Sequence, residues 1–123
     1  MQGFLITNNP AACEKFHGRC ETVYLESGTY PDVLIRARDL IHEGHRLLSH
    51  PLSGSVKPGQ TPYKSIVMTK EKGELDVESL RIIEAGIAVA GKQADRTNSQ
   101  LYTEEILKDF QLIDLELIST GLK

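Results

Sequence analysis

The chain has 123 residues, with 14 basic and 17 acidic side chains for a net charge of −3. That length suits one domain over residues 1–123, able to bury about two-thirds of its surface without disulfides or a structural metal. With 40% hydrophobic and 25% charged residues, the composition excludes wholesale disorder, collagen-like repeats and a disulfide scaffold. The acidic balance excludes a chain-wide basic footprint for nucleic acid.

Phe4-Leu5-Ile6-Thr7 is short and apolar and reads as a buried first strand, stopped by Asn8-Asn9-Pro10. Asn9 as N-cap and Pro10 at the first helical position predict a short helix to about Phe16, with Gly18 beyond its end. Thr22-Val23-Tyr24-Leu25 is the second strand, closed by Glu26-Ser27-Gly28. Thr29 and Asp32 have capping-box spacing. The helix they open has an apolar face of Val33, Leu34, Ala37, Leu40 and Ile41, and Gly44 offers its C-cap. Arg46-Leu47-Leu48-Ser49 reads as a third strand.

The run from His50 to Lys64 has no periodicity, and Pro51, Pro58 and Pro62 stiffen it. A connection of this length tends to be functional or disordered, and the prolines favour an ordered functional loop. Ser65 to Thr69 is a fourth strand of undetermined direction. Asp76 caps a long helix whose buried face reads Val77, Leu80, Ile83, Ile87 and Ala90; its small residues, Ala85 to Gly91, suit close backbone approach. Thr103 caps a last helix. Its main apolar stripe is Ile106, Phe110, Ile113 and Leu117, with Leu112 and Leu115 opposite; the alternation from Phe110 to Ile118 also fits a strand. The order predicts an α/β fold. It is a single open, mostly parallel sheet of about four strands, with packed helices and two C-terminal helices.

The start of the chain has no basic region followed by an apolar run, and no apolar stretch approaches the roughly 20 residues that span a bilayer. Cys13 and Cys20 belong to a chain large enough to fold without them. They read as free thiols in a reducing cytoplasm. With His17 they lack metal-knuckle spacing. His42-Glu43-Gly44-His45 superficially resembles a zinc-protease motif, but it is one residue short, and solvated helix-end histidines are the expectation. No metal and no cofactor is implied.

The charge distribution is more informative than its sum. From Gly44 to Lys70 there is no acid, while Arg46, Lys57, Lys64 and Lys70 make the stretch +4 and leave the rest at −7. This predicts a local anion site. In parallel sheets ligands bind beyond the carboxyl ends of the strands. The candidate ligand-binding residues are therefore Asn8 and Asn9 after the first strand, Ser27 after the second, and His50, Ser53, Gly54, Ser55, Lys57 and Lys64 in the long loop. Lysine supplies a point charge, the serines hydroxyls, and Gly54 close backbone approach. The spacing is not that of a P-loop, and a proline-stiffened surface loop with ordinary turn hydrogen bonds is the alternative.

The run His50-Pro-Leu-Ser-Gly-Ser-Val-Lys-Pro-Gly-Gln-Thr-Pro-Tyr-Lys-Ser65, with Ile6-Thr-Asn-Asn-Pro10 and Arg38-Asp-Leu-Ile-His-Glu-Gly-His45, resembles the GrdX family. The resemblance extends roughly from Ile6 to Glu84 and rests mainly on the long loop. Members are small proteins encoded beside glycine, sarcosine or betaine reductase components in amino-acid-fermenting anaerobes. The resemblance implies a cytoplasmic accessory protein in a thiol- and selenium-dependent setting, and it carries no catalytic residue with it.

The first functional expectation is an accessory or regulatory protein that binds a small anionic ligand or a reductase component. The alternatives are a small enzyme acting on a phosphorylated or carboxylated metabolite through His50 and Lys57, and a thiol-redox partner using Cys13 or Cys20. No nucleic-acid or membrane partner is expected. Leu112 and Leu115, left without an intrachain partner, predict a homodimer.

Overall fold

A computed structural model describes residues 3–49, 62–94 and 103–121. The strands are β1 (Gly3–Thr7), β2 (Thr22–Tyr24) and β3 (Ser65–Thr69). The helices are α1 (Pro10–Phe16), α2 (Tyr30–His42), α3 (Val77–Ala94) and α4 (Glu104–Gly121). The sheet order is β2-β1-β3. β2 runs parallel to β1, with Leu5 opposite Thr22 and Thr7 opposite Tyr24. β3 runs antiparallel, with Gly3 opposite Thr69 and Thr7 opposite Ser65.

The described sheet is thus mixed and three-stranded, which corrects the expected four mostly parallel strands. Arg46 to Ser49 makes only a bridge between Leu47 and Met68, on the far side of β3. It is held there by Leu48 N–H donating to the Val67 carbonyl at 2.8 Å and Thr69 N–H to Arg46 at 2.9 Å. The 15 residues from His50 to Lys64 left the direction of this strand open in the sequence, and its register with β1 sets it as antiparallel.

The caps act as their residue types dictate. The Asn9 side chain accepts from Ala11 N–H at the start of α1. Thr29 and Asp32 close a reciprocal capping box on α2. Asp76 accepts from Ser79 N–H ahead of α3, and Thr103 from Ile106 N–H ahead of α4. Gly44 follows α2 with φ of 109°, and a Cβ there would run into the Gly73 backbone, so the turn requires glycine.

Strand alternation divides the core into two layers. Phe4, Ile6, Ile66 and Met68 face α2 and α3, where Val33, Leu34, Ala37, Ile41, Ile83 and Ala90 complete an apolar cluster. Leu5 and Val67 face α1 and α4, where a smaller cluster adds Ala12, Phe16 and Ile118. The predicted face of α2 is buried as read. On α3, Val77 is instead exposed.

On α4 the expectation holds for exposed Leu112 and half-buried Phe110 and fails elsewhere. Ile106, Ile113 and Leu117 are exposed, while Asp114 and Ile118 are buried and Leu115 is half-buried against the second cluster. The helix turns an acid inward because polar partners await it there. No helix among the described residues is long and apolar enough to cross a membrane.

Candidate functional site

Because β3 is antiparallel, its first residues lie at the same sheet edge as the last residues of β1 and β2. Thr7, Asn8 and Asn9 leave β1 there, Glu26, Ser27 and Gly28 follow β2, and Lys64 and Ser65 enter β3. Ser65 and Thr7 are opposite one another and both point toward α4. Their hydroxyls lie 2.7 Å apart, and the Ser65 hydroxyl donates to Asp114 Oδ2 at 2.6 Å. The Asn9 amide also donates to Asp114 Oδ2, at 2.9 Å, and to the Gln111 carbonyl at 2.9 Å. Asn9 N–H donates to Thr7 Oγ1 at 2.9 Å. Asp114, 6% exposed, is thus a buried carboxylate with two side-chain donors on one oxygen. Such donors offset much of the cost of burying the charge.

Asn8 is a junction. Its amide nitrogen donates to the carbonyls of Gly28 and Pro62 at 3.1 and 2.8 Å, and its oxygen accepts from Lys64 N–H at 2.8 Å. It therefore fastens the turn after β2 and the end of the long connection to the end of β1. The side-chain groups of Asn8 and Asn9 are engaged inside the protein, and their role is to hold this edge together.

Lys64 is 7% exposed. Burial pushes its ammonium below the ordinary value, and the charge of Asp114 partly counters that. Among the described residues no carboxylate lies within 4.0 Å of it. Tyr30, the first residue of α2, is buried, and its phenol is pushed up to about 12 by burial and then by Asp114. Burial raises Tyr24 as well, with further contributions from Cys13, Glu26 and Tyr63. Tyr63 in turn accepts a hydrogen bond from the Gln111 amide at 2.9 Å. Both thiols are free and half-buried.

Of the candidate residues, the structure brings Asn8, Asn9 and Lys64 together. Ser27, exposed, lies beside Gly28 in the turn that Asn8 holds. His50, Ser53, Gly54, Ser55 and Lys57 lie outside the described residues. Asp114, Ser65, Thr7, Tyr30 and Gln111 were not anticipated. The available signal was Asp114 itself, an acid flanked by Ile113 and Leu115 in an otherwise apolar run.

The basic stretch does not form one cluster. Arg46 and Lys70 lie by Thr69, the far end of β3 from Lys64 and roughly 15 Å away along the strand. There they line a groove of about 720 Å³ with Lys72, Glu71, Glu74 and Asp76. Lys72 approaches Glu43 at 3.5 Å. Asp76 is held below its usual range chiefly by the Ser79 hydroxyl, with Arg46 contributing. Cations and acids balance in that lining, so the groove carries no net positive charge to favour an anion.

The histidine expectation divides too. His42 is exposed, but His45 is buried, not solvated. Its Nδ1 is 2.7 Å from the Thr69 carbonyl, and its ring meets Phe4 edge-on at 5.0 Å. Among the described residues no group of three or more histidine, cysteine, aspartate or glutamate side chains could hold a metal.

The family model described as GrdX-like protein matches residues 4–123, essentially the whole chain. No curated protein and no solved structure gives a significant match.

Proposed function

The chain belongs to the GrdX-like protein family, and from that premise we propose an accessory or regulatory protein of the glycine, sarcosine and betaine reductase system that binds a small anion at the Lys64 edge of the sheet. The observation that carries this reading is Lys64. It is a buried cation at the carboxyl edge of the parallel pair, with no carboxylate within 4.0 Å among the described residues. Asp114 already has two donors of its own, so Lys64 is not required to balance it. An incoming carboxylate or phosphate supplies the counter-charge that the described residues do not place within 4.0 Å of the ammonium.

The test is calorimetric titration of wild type and Lys64→Met with phosphate and small carboxylates. A charged hydrogen bond contributes about 1.5–3 kcal/mol, so the substitution weakens binding roughly 10- to 150-fold. Burial lowers the Lys64 pKa, so wild-type affinity falls as pH rises through that lowered value toward 10.5, while the ammonium deprotonates. Equal affinity in the two proteins sinks the reading.

A further inference from the structure

We propose that Lys64 is a carbonyl-reactive amine that captures a small 2-oxo acid as an imine at this edge. The inference rests on the reading of the edge as an anion site, because a 2-oxo acid presents a carboxylate together with its ketone or aldehyde carbon. The lysine is set apart by position. Lys15, Lys70, Lys72 and Lys108 are exposed, whereas Lys64 is buried and its backbone is held on both sides by Asn8. Its N–H donates to the Asn8 side chain at 2.8 Å and its carbonyl accepts from Asn8 N–H at 3.4 Å. The base of the side chain is therefore fixed, which favours a directed attack over diffusive encounter.

Burial also favours the neutral amine, the form that carries the nucleophilic lone pair. In the step, the Nζ lone pair bonds to the carbonyl carbon and a carbinolamine forms. The carbonyl oxygen then leaves as water with the two amine hydrogens, and a C=N double bond remains. No oxidant or reductant enters, and hydrolysis reverses the sequence. Protonation of the imine from solvent gives an iminium with the same charge as the ammonium it replaces. Asp114, whose field is felt at this lysine, faces a cation before and after capture.

The experiment incubates the whole protein at neutral pH with glyoxylate and cyanoborohydride, the latter serving only to trap the imine, and maps the adducts by peptide mass spectrometry. The expected result is an adduct on Lys64 in clear excess over the exposed Lys15, Lys70, Lys72 and Lys108, which act as internal controls in the same sample. Lys64→Arg keeps the positive charge and loses the excess adduct. Labelling that follows exposure, with Lys64 at or below the other lysines, overturns the proposal. Phosphate titration of the same preparation separates the two readings. Phosphate binding without selective labelling removes the imine alone, whereas absence of both phosphate and carboxylate binding removes the anion site and the imine with it.

Discussion

The two faces of the sheet are built on different principles. Toward α2 and α3 the contact is mainly apolar, and Ile6, Leu34, Ile41, Ile66 and Ile83 have no measurable exposure. Toward α1 and α4 the apolar cluster is small, and the end of the interface nearest the ligand edge is polar: Thr7, Ser65 and Asn9 around Asp114. Burial is strong but non-directional. Hydrogen bonds add less net energy but fix one geometry. The first face holds the domain together; the second sets where α4 lies and thereby shapes the candidate site.

The sharpest way to break this contrast is to truncate one residue on each side. Ile6→Ala leaves a cavity in the α2/α3 layer and is expected to lower stability by about 2–5 kcal/mol in chemical denaturation. Asp114→Ala strips the acceptor from Ser65 and Asn9 and is expected to cost about 2–4 kcal/mol. Asp114→Asn keeps an acceptor oxygen and is expected to cost about 1 kcal/mol. If the alanine and asparagine variants are equally unstable, the network is not directional and the comparison fails.

A gentler probe is pH. The Tyr30 phenol ionises near 10.0 in the unfolded chain but near 12 when folded. Its contribution is therefore fully present below pH 10 and is lost as pH rises through 12. The stability difference between wild type and Tyr30→Phe is expected to shift against wild type across that window, in denaturation curves taken at successive pH values. A constant difference would mean that Tyr30 is not held neutral by its surroundings.

The smallest effect belongs to the outer side of α4. Ile113→Ser, at a side chain 41% exposed, is expected to change monomer stability by no more than about 0.5 kcal/mol. The homodimer expectation rests on Leu112 and Leu115, but Leu115 packs against the second cluster, which leaves Leu112, 56% exposed; sedimentation of a dimeric wild type is then expected to show Leu112→Ser weakening the association. A wild type that sediments as a monomer removes that proposal.

Local chemistry was the legible part of the sequence. Asn9-Pro10, Thr29 with Asp32, Asp76 and Thr103 marked helix starts because a cap needs only its own neighbours. Asn8 and Asn9 were legible at the edge for the same reason, since they follow a strand, whereas Lys64 joins them only because β3 runs antiparallel. What depended on distant segments was hidden. The direction of β3 is set by its pairing with β1, which no periodicity between residues 50 and 64 announces. The inward face of α4 is chosen by Ser65 and Asn9, 49 and 105 residues away from Asp114. By apolar content alone the Ile106–Ile113–Leu117 stripe was the better candidate for burial, and it lost to a carboxylate with waiting donors.

That separation of 105 residues between Asn9 and Asp114 also orders events in time. During synthesis β1, β2 and α2 are made well before α4, and a domain generally folds as a unit. Until α4 docks, Ser65 and Asn9 lack their acceptor. The edge that holds Lys64 is consequently completed only when α4 is in place. A nascent or truncated product without α4 has the means to build most of a sheet, yet it lacks the carboxylate that finishes the site.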